Sequence, residues 1–273
     1  MTATLVRHPA VAGRFYPRDP TVLREEVDSY LFQTLPQRTI RALGCIAPHA
    51  GYVYSGHVAG AVFAALEIPK VCIVMCPNHT GMGSAFAIIS EGAWETPLGD
   101  VPIDTDFAAA LRRECPLLQD DSVAHRAEHA VEVELPFLQV RQPKLKIVPI
   151  ALGTRQFDRL EELGLALAHV IAAQHNPILI VASSDMNHYE SDAVTRVKDQ
   201  IAIEPILRVD ARGLYDAVTE RDISMCGFGP VVAMLTATRR LGATTAELVK
   251  YATSGDISGD RDTVVGYAGI VVS

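Results

Sequence analysis

Three histidines stand where apolar segments of strand length give way to turns. His49, His79 and His188 each come within a few residues of the end of such a segment. Apolar runs of this length favour buried strands, and the carboxyl ends of parallel strands lie along one edge of a sheet. We therefore expect the three imidazoles to approach one another there, although any single one could simply bond a backbone carbonyl. Imidazoles gathered at an open site suit transition-metal binding or general acid–base catalysis.

Cys226 and Asp185 are two further candidates. Cys226 lies in a glycine-rich turn before a helix that Pro230 is expected to begin, and a helix N-terminus favours the thiolate form of cysteine. The alternative for Cys226 is a small buried side chain packed against the turn. Asp185 shares a turn with His188 and is expected to orient a histidine by accepting its second ring proton.

The segment from His125 to His129 offers a competing signal. It matches H-x-x-E-H, in which two histidines one helical turn apart bind zinc beside a glutamate base. A five-residue pattern with two free positions also arises by chance, and the residues before His125 are polar. His129 fits better alone, on the inner face of a helix predicted over 128–138, as a group that faces substrate or orients a ligand.

These residues need a scaffold, and the chain alternates between strand-like and helix-like segments. Apolar runs predict strands at 43–47, 71–76, 85–89, 145–152, 177–182, 245–251 and 264–272. Helical spacing predicts helices at 20–32, 56–66, 104–113, 128–138, 157–173, 194–207, 211–218 and 230–241. Ser55 is the expected N-cap of the second helix. The alternation predicts an α/β fold with a mainly parallel sheet covered by helices on both faces.

Composition limits the possible functions. The chain has 273 residues, of which 49% are hydrophobic and 21% charged, and no linker-like segment divides it, so we predict a single domain over 1–273. A net charge of −8 without a local Lys/Arg cluster argues against binding to nucleic acid. No apolar run reaches the roughly 20 residues of a membrane span, and the N-terminus lacks a signal-peptide core. We therefore predict a cytoplasmic protein with reduced cysteines, of which Cys45, Cys72 and Cys76 belong to the core.

Several common site motifs are absent from the sequence. It contains no G-x-G-x-x-G after a strand and no Walker A sequence. The phosphate-binding loops that dinucleotide-binding and P-loop proteins use are therefore not indicated. The serines at 183 and 184 are not part of a G-x-S-x-G nucleophile elbow.

Seven ordered segments carry a family resemblance across nearly the whole chain. They read AVAGRFYP, IAPHAGYVYSG, PNHTG, EHAVEVELPFLQ, VASSDMNHYE, MCGFGP and YATSGD…VGYAGIVV. In these segments the chain resembles the Memo family, also labelled AmmeMemoRadiSam system protein B. The resemblance implies a single three-layer α/β domain similar to the class III extradiol dioxygenases, which use non-haem iron.

The resemblance also implies roles for particular residues. Metal ligands of the family fall on His49, His79 and Cys226, and histidines of its pocket fall on His129 and His188, with Asp185 beside the latter. The related dioxygenases bind iron through two histidines and a carboxylate, whereas Cys226 offers a thiolate in place of the carboxylate. A softer ligand shifts the preference towards copper(I) or zinc, with iron still possible.

The leading hypothesis is a metal-dependent oxidoreductase that uses one iron or copper ion and acts on a small-molecule or peptide substrate. In it, His188 and His129 act as acid–base or orienting groups and Asp185 fixes an imidazole tautomer. The main alternative is a non-catalytic module that binds a peptide or a protein in the same crevice. A lesser alternative is a zinc-dependent hydrolase centred on His125 and His129. The oligomeric state is not predicted.

Overall fold

The structure, a computed structural model, describes residues 5–32 and 39–273. Its strands are β1 (Val6–Arg7), β2 (Gly44–Ala47), β3 (Val71–Pro77), β4 (Phe86–Ile88), β5 (Ala93–Thr96), β6 (Gly99–Pro102), β7 (Gln119–Asp120), β8 (Lys146–Leu152), β9 (Ile178–Ser183), β10 (His188–Glu190), β11 (Ala246–Thr253) and β12 (Val264–Val272). Its α-helices are α1 (Pro20–Phe32), α2 (Tyr52–Ala65), α3 (Thr105–Glu114), α4 (Val123–Arg126), α5 (Leu135–Arg141), α6 (Phe157–Ala172), α7 (Asp192–Leu207), α8 (Ala211–Glu220), α9 (Phe228–Arg240) and α10 (Gly255–Ser258). A 3-10 helix, Glu132–Glu134, precedes α5.

The main sheet has the strand order β10-β12-β2-β9-β3-β8-β4-β7, with β11 also paired to β12. The four strands β2, β9, β3 and β8 are parallel, as the apolar runs predicted. The sheet as a whole is mixed, because β12 and β4 flank these four strands antiparallel. The segment between β11 and β12 is short and reverses the chain, whereas a parallel pairing would need a long crossover. β1, β5 and β6 form a separate small sheet.

Helices cover both faces of the main sheet, which confirms the α/β fold class. Buried side chains of α1, α2 and α5 form one apolar cluster, and those of α3, α6, α7, α8 and α9 form the other. Cys45, Cys72 and Cys76 are fully buried in the first cluster, as predicted. Within the described ranges, no helix combines the length and hydropathy needed to span a membrane.

Two predicted helix starts are wrong. The second helix begins at Tyr52, and Ser55 lies inside its first turn, where the hydroxyl donates to the carbonyl of Ala50. The helix after Cys226 begins at Phe228, so Pro230 falls within its first turn.

The helix predicted over 128–138 is also wrong in its first half. Glu128 and His129 lie in an irregular segment between α4 and the 3-10 helix, and regular helix starts at Leu135. Arg7 donates from Nη2 to the carbonyl of Glu128, which would otherwise accept the first intrahelical bond. A buried side chain therefore replaces the helical hydrogen bond, and His129 lies outside regular helix.

Candidate metal centre

Two of the predicted histidines meet at the carboxyl edge of the parallel strands, and a third imidazole joins them. His49 follows β2, His79 follows β3, and β9 lies between those strands in the sheet. His129 comes from the irregular segment. One ligand nitrogen from each of the three rings lies within 4.8 Å of the others, and the ring centroids are 4.9 to 5.4 Å apart. We call these three residues the histidine cluster.

Glu128 is hydrogen-bonded to one ring of the histidine cluster and lies close to a second. Its fully buried carboxylate accepts from the backbone N–H of His79 (2.6 Å) and lies 3.0 Å from His79 Nδ1. Oε1 of Glu128, the atom next to His79 Nδ1, also lies 3.4 Å from Nδ1 of His129. Because Glu128 occupies the Nδ1 side of His79, the Nε2 atom of that ring is the one left for a ligand.

Burial and neighbouring charges set the protonation of the cluster. Burial lowers the pKa of His49 well below its usual value, and the nearby His79, His129 and His188 add to the effect. Burial also lowers the pKa of His129, although the charge of Glu128 opposes it. For His79 burial is outweighed by the hydrogen bond and charge of Glu128, so its pKa is raised. Two of the three imidazoles are thus neutral and able to donate a lone pair.

The cluster has a deep side and an open side. His49 is buried, whereas the side chains of His129 and His79 are 21% and 33% exposed. The ring of Phe15 lies edge-on to His129 at 4.9 Å. The open side of the cluster is therefore formed by His79 and His129, and Phe15 packs against the latter.

Asp185 lies beside His49, but its predicted role is wrong. Its Oδ1 accepts from the backbone N–H of His49 (2.8 Å) and not from an imidazole. The ring of His49 instead contacts a hydroxyl, with 2.8 Å between Nδ1 and Ser183 Oγ. Burial raises the pKa of Asp185 to about 7, against the opposing backbone hydrogen bond from His49. Asp185 thus fixes the turn that carries His49 and can exchange a proton near neutral pH.

Cys226 reaches His49 from the loop between α8 and α9. Its Sγ lies 3.3 Å from His49 Nε2 and 3.3 Å from the backbone N of Asp185. The approach depends on Gly227, where a Cβ atom would lie 2.4 Å from the carbonyl oxygen of Ser183. Cys226 is outside the mutually close group of three histidines. Burial and the charge of Asp185 raise the pKa of its thiol, opposite to the thiolate expected from the helix N-terminus.

His188 sits at the edge of the site and not within the histidine cluster. Its backbone N–H donates to Ser224 Oγ (2.7 Å), and its Nδ1 lies 2.9 Å from the carbonyl oxygen of Ser224. A carbonyl can only accept, so the ring proton is on Nδ1 and Nε2 is an acceptor. The next residue, Tyr189, has φ of +62°, a conformation that costs energy for a non-glycine residue. Its side chain is 76% exposed.

The structure separates the two histidines of the H-x-x-E-H pattern. α4 ends at Arg126, so His125 and His129 do not share one helix face. His125 is fully buried against Trp94, with Nε2 3.3 Å from the carbonyl oxygen of Ala87. Burial lowers the pKa of His125 to about 4. This geometry removes the basis for a zinc hydrolase built on the pair.

Three supporting residues were not identified from the sequence. Glu128 was considered as a zinc-hydrolase base, and Ser183 only as a nucleophile that lacked its motif. Glu134 lies 2.8 Å from Ser183 Oγ and was not considered. One signal was available, since Glu132 and Glu134 alternate with Val131, Val133 and Leu135 in an otherwise apolar stretch.

Comparisons with known proteins identify relatives along almost the full chain. A family model described as Memo-like protein matches residues 7–271. A MEMO1 family protein of Methanothermobacter thermautotrophicus is 42% identical, and the match covers 97% of this chain and 99% of the relative. A MEMO1 family protein of Methanosarcina barkeri is also 42% identical, with 98% and 100% covered.

A solved structure supports the fold. The crystal structure of an uncharacterized protein from Escherichia coli K12 superposes with a TM-score of 0.57 at 12% identity. The superposition covers 85% of this chain and 100% of that one. At this identity the likeness concerns the fold alone.

Proposed function

This chain belongs to the Memo-like protein family, and we propose that it binds one transition-metal ion at the histidine cluster and acts there as an oxidoreductase. The observation that carries the proposal is the approach of His49, His79 and His129 to within 4.8 Å at one edge of the sheet. The ring of His79 is oriented by a hydrogen bond with a buried carboxylate, an arrangement common around metal-binding histidines, and His129 Nδ1 lies 3.4 Å from the same group.

The donor set fits iron, copper or zinc. Neutral imidazoles are ligands for all three metals, and burial keeps His49 and His129 neutral. Cys226 is a fourth donor in this proposal, because its sulfur already lies 3.3 Å from His49 Nε2. Binding through sulfur requires loss of the thiol proton, which a nearby cation promotes. Sulfur ligation would favour copper(I) or zinc, and a site without it would favour iron.

The surrounding residues suit proton transfer. When bound, iron or copper supplies redox chemistry that protein side chains lack. His188 Nε2 is available to take a proton from a substrate hydroxyl, because Ser224 holds the ring proton on Nδ1. Asp185, with a pKa of about 7, can hold or release a proton beside His49 at neutral pH. We therefore assign acid–base roles to His188 and Asp185, and a ligand role to His129.

A second function, binding of a peptide or protein, is favoured by exposed apolar side chains near the cluster. Val53 and Tyr54 lie in the first turn of α2, shortly after His49, and are 61% and 40% exposed. Tyr189 lies beside His188. Exposed apolar side chains of this kind often mark a binding surface. On this alternative the metal has no catalytic role.

Metal content tests the ligand set. The protein is purified anaerobically, incubated separately with iron(II), copper(I) and zinc(II), desalted and measured by elemental analysis. We expect about one metal ion per chain in the wild type and a large loss in His49→Ala and His129→Ala. His169→Ala is the matched control, since that side chain is 72% exposed on α6, and it should keep full occupancy. Cys226→Ser should lower the affinity for copper(I) more than that for iron(II).

Two results would overturn the proposal. One is the absence of stoichiometric metal in the wild type after incubation with all three ions. The other is equal occupancy in His49→Ala and the wild type. Dioxygen uptake with a panel of dihydroxyaromatic compounds separates catalysis from binding: metal-dependent uptake supports the oxidoreductase, and its absence favours the binding function.

A further inference from the structure

A line of buried polar groups leads inward from His49. Ser183 Oγ lies 2.8 Å from each of three groups: His49 Nδ1, the carbonyl oxygen of Ala130, and Glu134 Oε1. Ser183 and Glu134 are both fully buried. In the part of the chain that the structure describes, the other carboxyl oxygen of Glu134, Oε2, has no hydrogen-bond partner.

Counting protons assigns the direction of each bond. A serine hydroxyl has one proton to donate and two lone pairs with which to accept. The carbonyl of Ala130 can only accept, so it takes the proton of Ser183. The other two groups must then donate to Ser183: His49 through Nδ1–H, and Glu134 through a carboxylic O–H. Any other assignment leaves a buried acceptor unpaired or brings two lone pairs together at 2.8 Å, which is unfavourable.

The surroundings of Glu134 agree with a protonated acid. Burial raises the pKa of Glu134 well above its usual value, its hydrogen bond with Ser183 opposes this, and the charge of Asp185 adds to it. An isolated buried carboxylate carries a large desolvation cost, whereas the neutral acid needs only one good acceptor, and Ser183 provides it.

We propose that Glu134 is a positioning residue: through Ser183 it holds His49 as the Nδ1–H tautomer, so that the Nε2 lone pair faces Cys226 and the neighbouring imidazoles. Glu134 occupies one lone pair of Ser183 and the Nδ1–H of His49 occupies the other, so the hydroxyl cannot rotate to donate to His49. Without that restraint a neutral imidazole can carry its proton on Nε2, where it would block a ligand and could instead donate to Cys226 Sγ, 3.3 Å away. The function of this tautomer, to leave Nε2 of His49 free for a metal ion, rests on the proposed metal site.

The tautomer of His49 can be measured in the metal-free protein. Long-range proton–nitrogen NMR correlations on histidine-labelled protein distinguish Nδ1–H from Nε2–H rings. We expect Nδ1–H for His49 in the wild type and a shift towards Nε2–H in Ser183→Ala. A wild type with its proton on Nε2, or an unchanged tautomer in Ser183→Ala, would overturn the inference. A merely structural role for Ser183 predicts no tautomer change.

Two substitutions at Glu134 separate hydrogen bonding from filling of space. Glu134→Gln keeps a donor, because its amide N–H can replace the acid O–H, and it should retain the Nδ1–H tautomer. Glu134→Met is similar in size but cannot donate, and we expect His49 to populate Nε2–H. Identical spectra for these two variants would show that Glu134 only fills space.

Zinc affinity gives a second readout with zinc(II) alone as the probe. We expect Ser183→Ala and Glu134→Met to bind zinc about 10- to 100-fold more weakly than the wild type, and Glu134→Gln to stay within a few-fold. If neither the wild type nor any variant binds zinc but the tautomers change as expected, the proposed metal function fails and the role of Glu134 remains. If zinc binds equally in all variants and the tautomer never changes, the role of Glu134 fails and the metal site remains.

Discussion

Glu132 and Glu134 lie two residues apart in the same 3-10 helix and are both fully buried, but their surroundings are opposite. Glu132 pairs with the guanidinium of Arg7 and accepts from the hydroxyl of Tyr16 (2.6 Å). It also accepts from the backbone N–H groups of Ala10 (2.8 Å) and Val11 (3.0 Å). Among the residues at 5–32 and 39–273, Glu134 has one hydrogen-bond partner, Ser183. The carboxyl of Glu132 is therefore surrounded by hydrogen-bond donors, whereas the carboxyl of Glu134 contacts a single hydroxyl among the described residues.

The difference separates a structural role from a positioning role. Arg7, held by Glu132, also donates to the backbone carbonyls of His125 and Glu128, so this ion pair ties the N-terminal segment to the segment that carries His129. A fully satisfied buried charge of this kind stabilises one backbone arrangement. Glu134 does not connect backbone segments in this way. Its hydrogen bond with Ser183 instead acts on His49. The four predictions below test this contrast.

Glu132→Gln should have the largest effect. The amide removes the negative charge opposite Arg7 and presents an N–H group towards donors, which leaves a buried guanidinium uncompensated. Breaking a buried ion pair in this way typically costs about 3–5 kcal/mol. Chemical denaturation of the wild type and the variant measures the change in the free energy of unfolding. A loss below about 1 kcal/mol would show that Glu132 is not the structural member of the pair.

Glu134→Gln should change the pH dependence of stability more than stability itself. The pKa of Glu134 is raised in the folded protein above its unfolded value near 4.5. Folding therefore takes up a proton, and the stabilisation by the neutral acid is complete below pH 4.5 and declines as the pH rises towards the folded pKa. Glutamine has no such proton and should remove this part of the slope.

The contribution of Glu134 to the pH dependence of stability is measured by comparing the wild type with Glu134→Gln. Denaturation at pH 5.5 and pH 7.5 should show the wild type losing up to about 1.4 kcal/mol per pH unit more than Glu134→Gln. Asp199 also has a raised pKa, but both proteins contain it and it is not among the groups that act on Glu134, so its contribution cancels. Parallel pH profiles would mean that Glu134 is ionised in the folded state and would contradict the proton count at Ser183.

Tyr16→Phe tests whether the donors around Glu132 act as a set. The substitution removes one of four contacts to the carboxylate and leaves Arg7 in place. A hydrogen bond to a charged group contributes about 1.5–3 kcal/mol, and the remaining donors should reduce the loss to the lower end of that range. The free energy of unfolding measures it. A loss as large as that of Glu132→Gln would assign the stabilisation to Tyr16 and not to the ion pair.

The contrast also shows which parts of the molecule the sequence could predict. The approach of His49 and His79 follows from local features, because apolar runs mark the strands and parallel strands align their ends. His129 was expected to face the pocket, but from a helix that does not form there. Its actual position depends on Arg7 bonding to the carbonyl of Glu128, a contact between residues 121 positions apart.

The supporting groups of the site were still harder to predict. Ser183 and Glu134 are 49 positions apart, and Cys226 and His49 are 177 apart, so no local pattern relates them. Of the two alternatives for Cys226, the thiolate suggested by the helix N-terminus disagrees with its raised pKa, because a helix N-terminus is a local feature whereas burial depends on the packed fold. Strand positions and fold class follow from periodic patterns, while strand order, tautomers and protonation states require the three-dimensional structure.

Glu204→Gln is the control for the series and should have the smallest effect. It makes the same chemical change in a carboxylate that pairs with Arg208 one helical turn away on α7. These side chains are 67% and 57% exposed, and water and salt screen such a pair, so we expect a loss of at most about 0.5 kcal/mol. The same denaturation measurement applies. If Glu204→Gln and Glu132→Gln cost the same, burial would not explain the contrast, and the structural role assigned to Glu132 would have to be abandoned.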